Sequence, residues 1–180
     1  MQSIKLENYI PLKIIFNNID EAVEYISYSK EKTSLLEITV GMKSKLIKKI
    51  TLLLCKEYSE ITNKLVVENF EDKKLTLHGN NIECSVFKTI LYSNGAKIIL
   101  SDKSIFKCIK MDKVYFGLSD TNDIIEICVC DMSSFELEHL KKELKLQWVK
   151  MNASDRNIFR SLWNDKNSDI SRELGKRNFK

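Results

Sequence analysis

A chain of 180 residues with 43% hydrophobic and 30% charged side chains has the composition of a soluble folded domain with a small appendage. One proline and five glycines exclude a collagen-like repeat, a disordered linker and a loop-rich disulfide scaffold, and no internal repeat is visible. The net charge of +4, from 29 basic and 25 acidic residues, is too mild to demand a nucleic-acid partner.

In chain order, PLKIIF (11–16) is rich in β-branched residues and reads as a strand ended by the turn-forming NNID. DEAVEYISYSK (20–30) places Ala22, Val23, Tyr25 and Ile26 at three- and four-residue spacing, which predicts a helix opened by Asp20. SLLEITVG (34–41) is a strand closed by Gly41. In 42–60, Leu46, Ile50, Leu53, Leu54 and Tyr58 recur at helical spacing, with Lys43, Lys45, Lys48 and Lys49 on the other face. KLVVENF (64–70) and KKLTLHG (73–79) compete for the third strand, and the sequence does not separate them. ECSVFKTILYS (83–93) reads as a helix ended by Asn94-Gly95, AKIILS (96–101) as a strand, KSIFKCIK (103–110) as a short helix and KVYFGLS (113–119) as a strand. TNDIIEICVCDM (121–132) reads as a helix capped by Thr121, with strand as the rival because of its β-branched content. SSFELEHLKKELKLQWV (133–149) is the strongest helix, with Ser134 as cap and Phe135, Leu137, Leu140 and Leu144 as apolar positions.

Strands that alternate with helix-length gaps imply a parallel sheet covered on both faces by right-handed crossovers. The expected fold is thus α/β, a flavodoxin-like parallel sheet over 1–132, then a linker helix at 133–150 and a helical segment at 151–180. An α+β domain with an antiparallel sheet is the alternative.

Chemistry-bearing motifs are sparse. The five cysteines are odd in number and irregular in spacing, which points to buried or free cytosolic thiols; Cys128 and Cys130 stand too close for a zinc knuckle. His78 sits in the turn-like HGNN, and His139 lies among Glu136, Glu138 and Lys142 on a helix and is expected to be solvated. No phosphate-cradling glycine loop, metalloprotease helix or nucleophile elbow occurs, so the expectation is a non-enzyme without cofactor or metal. MQSIKLENYI lacks the apolar core of a signal peptide and ITLLLC (50–55) is too short to span a bilayer, so a cytoplasmic protein with no membrane partner is expected.

The C-terminal stretch carries the most specific pattern. Asn152 and Ser154 are cap candidates with Asp155 in the first turn; Ile158, Phe159, Leu162 and Trp163 form an apolar stripe. NDKN (164–167) is a turn, Ser168 caps a second helix bearing Ile170 and Leu174, and Gly175 follows. Two short helices joined by a polar turn are the start of a helix-turn-helix. Between Arg160 and Lys180 six basic residues face three acids, Asp165, Asp169 and Glu173, which favours contact with phosphates through Arg172, Lys176, Arg177 and Lys180.

Residues Met151–Leu174 resemble the C-terminal DNA-binding domain of LuxR/FixJ-type bacterial regulators. Met151-Asn152 stand for that family's opening pair, Asp155 for its Glu, Ile158-Phe159 for its VL, Leu162 for the next core position, Asp165 for the Gly, Ile170-Ser171 for its IA and Leu174 for the closing Leu. The turn is one residue shorter than in the family, and Lys176-Arg177 replace an apolar residue and Ser. The match covers about a seventh of the chain, and no recognition helix follows Leu174. A generic helical hairpin is the alternative.

The resemblance implies a receiver domain ahead of the DNA-binding segment, and KVYFGLSDTNDIIEIC looks like a receiver's fifth strand and helix. Receiver phosphorylation needs carboxylates for Mg²⁺. Asn17-Asn18 stand where the acidic pair belongs, Glu68-Asn69 where the acceptor belongs, and Ser119-Asp120 where the lysine belongs, with Ser101 at the switch position. The reading is a transcription regulator with a non-phosphorylated, receiver-like domain that forms a homodimer or binds a partner regulator, and with weak or non-specific DNA binding. The alternative is an accessory or virulence-associated protein-interaction module without specific DNA binding.

Overall fold

The computed structural model describes residues 3–16, 20–79 and 81–152, with side chains described as far as Val149. The chain divides into two compact units, 1–147 and 148–180. The first holds every strand and most of the helix of the described residues.

Thirteen strands and one helix make up the described residues. The strands are β1 Ser3–Glu7, β2 Ile10–Ile15, β3 Val23–Lys30, β4 Ser34–Gly41, β5 Ile47–Leu54, β6 Tyr58–Glu60, β7 Phe70–Asp72, β8 Ile82–Glu83, β9 Lys88–Tyr92, β10 Gly95–Ile99, β11 Lys107–Met111, β12 Val114–Leu118 and β13 Ile124–Val129. The helix, α1, is Ser134–Asn152. Two sheets result, ordered β1-β2-β5-β4-β3-β8 and β6-β9-β10-β13-β12-β11-β7. The flavodoxin-like expectation is overturned: the long strands pair antiparallel, and no helix connects them.

The sheets share one core. Leu12, Ile14, Leu36, Ile38, Ile50 and Leu52 of the first sheet belong to the same buried cluster as Ala96, Ile98, Phe116, Leu118 and Ile127 of the second. Alternation along each strand produces this face. In β4, Leu36, Ile38 and Val40 are wholly buried while Leu35 and Glu37 on the opposite face are half-buried, though Thr39 on that face is also covered; in β12, Val114 and Phe116 point inward and Tyr115 outward. The architecture is a two-sheet sandwich.

The two sheets also repeat one topology. β1-β2-β5-β4-β3 in the first matches β9-β10-β13-β12-β11 in the second. The connections correspond too: two residues in the first hairpin of each half, seven before β3 and before β11, and five before β5 and before β13. No sequence periodicity announced this, because the strands share a burial pattern and not residue identities. Segment 55–87 laces the halves together. Its three short strands add in parallel to sheet edges: β6 beside β9, β7 beside β11 and β8 beside β3. Between β6 and β7 it crosses the outer face of the second sheet, where Leu65 and Val67 pack with Cys128, Cys130, Tyr92 and Tyr115.

Four expected helices are strands. Residues 20–30 form β3, with Ile26 and Tyr28 inside and Tyr25 and Ser27 outside. Residues 42–60 form β5 and β6, 83–93 contain β9, and 103–110 contain β11. For 121–132 the strand rival is correct, as β13. Of the two candidates for a third strand, 64–70 contributes only Phe70 to β7, and 73–79 makes a single bridge, Leu46 to Thr76.

The helix expected at 133–149 forms, and its cap is Ser133. The Ser133 hydroxyl accepts the Glu136 N–H at 3.3 Å, and the Glu136 carboxylate accepts the Ser133 N–H at 2.7 Å, a capping box. Leu140 and Leu144 insert into the shared core, whereas Phe135 is exposed. No helix among the described residues is long and apolar enough to cross a membrane.

Candidate functional site

The site is built where α1 passes the β6 edge of the second sheet. On one side of the Leu140–Leu144 stripe, Glu143 accepts the Tyr9 N–H at 3.0 Å and the His139 ring meets the Ile10 carbonyl at 3.3 Å, which ties α1 to the β1–β2 turn. His139 is therefore half-buried and engaged, not solvated as its acidic and basic neighbours suggest. On the other side, Lys141 pairs with Glu60 of β6 at 2.6 Å, both side chains about half exposed. The Glu60 carboxylate beside it raises the Lys141 pKa. Between α1 and the β6–β9 edge lies an open groove of about 320 Å³, with Ile61, Leu91 and Leu137 as apolar lining and Glu60, Glu138 and Lys141 as its charges.

The backbone on this edge is half used. β6 lies parallel to β9, with Tyr58 opposite Thr89 and Glu60 opposite Leu91. The Glu57 carbonyl accepts the Thr89 N–H at 3.0 Å, the Ile61 N–H donates to the Leu91 carbonyl at 2.8 Å, and the Asn63 carbonyl accepts the Ser93 N–H at 3.1 Å. Peptide groups alternate sides along a strand, so those of Tyr58 and Glu60 face away from the sheet. No other strand of the described residues pairs with that edge. The segment is then clamped by Asn94, whose carboxamide accepts the Leu65 N–H at 2.7 Å and donates to the Leu65 carbonyl at 3.2 Å.

A second cleft, lined by Asp20, Glu21, Ala22, Lys43 and Ser44, is occupied with structural work. Glu21 meets Lys48 at 2.8 Å and the Ser44 hydroxyl at 2.6 Å, and accepts the N–H groups of Lys43 and Ser44. Lys48, then Ser44 and the Lys43 amide, hold its pKa down at about 2. Gly41 leaves room for this arrangement, since a Cβ there would displace the Glu21 carboxylate and the Ser44 hydroxyl.

The thiols are equally committed. All five cysteines are free and buried. Burial pushes the pKa of Cys55, Cys84 and Cys130 up to about 11, and raises those of Cys108 and Cys128. A thiolate nucleophile needs the opposite environment.

The positions singled out from sequence are not assembled here. The predicted phosphate contacts Arg172, Lys176, Arg177 and Lys180, and the helix-turn-helix core Ile158, Phe159, Leu162, Ile170 and Leu174, lie outside the described residues, as do Asn17 and Asn18. Ser101 sits between β10 and β11, where its hydroxyl accepts the Lys103 N–H. Ser119 and Asp120 form the β12–β13 turn, in which the Ser119 hydroxyl accepts the Asp123 N–H at 3.1 Å. Glu68 and Asn69 lie in the crossing segment, so these are turn and loop residues of a sandwich. Glu60 escaped notice because 42–60 read as a helix, and Ile61 because it falls between that reading and the strand read at 64–70. Leu137 and Lys141, four apart on a correctly placed helix, carried the only sequence signal for the groove. No family model matches the chain, and no curated protein matches it.

Proposed function

We propose that the sandwich is a protein-interaction module without catalytic chemistry. The observation that carries this is the groove beside α1, a concave surface with apolar lining, a charged rim and a strand edge that no other strand of the described residues pairs with. The reactive groups support the same reading, because the fold consumes them: the thiols by burial, His139 by the Ile10 carbonyl, and Glu21 by Lys48 and the turn after Gly41. On this reading the protein works in the cytoplasm. A two-hybrid screen of the full chain against a genomic library from its own source, followed by sedimentation of purified pairs, tests it. A partner that cosediments with the purified chain is expected. A chain that binds no protein but turns over members of a small-molecule substrate panel would overturn it.

The second reading is DNA contact. Its receiver half is overturned by the fold. Its other half rests on the sequence pattern of 151–174 and the basic residues Arg172, Lys176, Arg177 and Lys180. Phosphate contacts position a protein on DNA without specifying sequence. The expected outcome of a titration against genomic fragments is an affinity of about 10⁻⁴–10⁻⁶ M that falls steeply between 50 and 200 mM salt. Nanomolar, sequence-selective binding would instead establish a sequence-reading regulator.

A further inference from the structure

We propose that the occupant of the α1 groove is an extended segment of a partner protein that adds as a strand to the outer edge of β6. The inference rests on the interaction reading and names the partner's form. The outward peptide groups of Tyr58 and Glu60 offer donors and acceptors in the register that an extended backbone pairs with. The fold already accepts such segments: β6, β7 and β8 are themselves pieces of two or three residues laid on sheet edges. α1 gives this edge a wall that a bare strand edge lacks.

Side chains specify the partner further. Ile61 is 40% exposed and lies with Leu137 and Leu91 along the groove, which suits one aliphatic residue of the incoming strand. Glu60 is neutralised by Lys141, whereas Glu138 is exposed on the rim. A basic residue beside the aliphatic one meets Glu138. The partner is thus an extended aliphatic-basic peptide whose backbone supplies affinity and whose alternate side chains supply selectivity.

The test uses the full chain and a phage-displayed library of random linear dodecapeptides, with enriched peptides resynthesised. In ¹⁵N-resolved spectra the expected shifts map to Tyr58, Glu60, Ile61 and Leu137, and the amides of Tyr58 and Glu60 gain protection from hydrogen exchange. Peptides methylated on alternate backbone nitrogens are expected to bind at least about tenfold more weakly, because each loses a ladder donor. Ile61→Asp, at an exposed position, is expected to weaken binding to a similar extent while leaving the melting temperature unchanged. The inference is overturned if no peptide is enriched, if shifts map elsewhere, or if methylated peptides bind as tightly as their parents. Peptides that bind at another surface would overturn this inference alone and leave the interaction reading standing.

Discussion

Lys48 is 5% exposed, an unusual position for a lysine, and Glu21 pairs with it there at 2.8 Å. A buried charge that loses an ion-pair partner is less well compensated. Glu21→Gln is therefore expected to lower the melting temperature at neutral pH. The pH dependence comes from the depressed carboxyl. A group whose pKa falls from an ordinary 4.5 to about 2 on folding contributes stability that is present above 4.5 and is lost as pH falls toward 2. Melting curves between pH 6 and 2 should show a weaker acid limb in Glu21→Gln than in the parent; identical limbs would mean that another carboxylate governs acid unfolding. Two other buried groups point the opposite way. The hydroxyls of Thr39 and Thr51 are buried without a hydrogen-bond partner among the described residues. Removing an unsatisfied polar group at constant shape relieves its desolvation penalty. Thr39→Val and Thr51→Val are each expected to stabilise the fold by about 1 kcal/mol in urea titrations, and a loss of stability in both would show that these hydroxyls are bonded in solution.

At the scale of elements, Gln147 decides how α1 is seated. Its carboxamide donates to the Leu53 carbonyl at 2.7 Å and accepts the Cys55 N–H at 3.2 Å, satisfying backbone groups where β5 ends. Gln147→Ala would leave the buried Cys55 N–H and the half-buried Leu53 carbonyl without this partner, so a loss of about 1–3 kcal/mol is expected in urea unfolding; a loss below about 0.5 kcal/mol would mean that water replaces the side chain without penalty. The same region shows why the sequence misleads. In β5 the register steps from Thr39↔Lys49 to Val40↔Ile47, so Lys48 is an extra residue in a bulge. The bulge sets Ile47 three residues from Ile50 on the same buried face, which copies helical spacing inside a strand. β2, β4, β10 and β12 were legible because short runs rich in β-branched, leucine or aromatic residues carried them, and α1 because its cap and its Leu140–Leu144 spacing agree. β9 and β11 were not: Phe87, Ile90 and Leu91 around the first, and Ile105, Phe106 and Ile109 around the second, stand three and four residues apart and so copy helical spacing. The groove was half legible for the same reason. Its helical wall could be read, while its strand edge depends on pairing across some thirty residues of chain, which local periodicity does not encode.

At the scale of the molecule, the repeated topology does not make two domains. The inner face of each sheet is covered by the other, segment 55–87 is shared between both, and α1 follows the second half yet bonds to the β1–β2 turn and the end of β5 in the first. Cooperative unfolding of the sandwich as a single unit is the expected consequence. It also sets the smallest piece that folds. A chain ended at residue 132 would lose Leu140 and Leu144, both 0% exposed, and with them the Gln147 contacts and the ion pair to Glu60. Emptying two such positions costs about 2–5 kcal/mol each, judged by large-to-small core substitutions. A typical domain has only about 5–15 kcal/mol in total. Residues 1–152 are therefore expected to give dispersed amide spectra and a single calorimetric transition, while 1–132 is expected to lose near-ultraviolet dichroism and expose apolar surface. A native-like spectrum from 1–132, melting within a few degrees of 1–152, would show that α1 is an accessory to the sandwich and not part of its core.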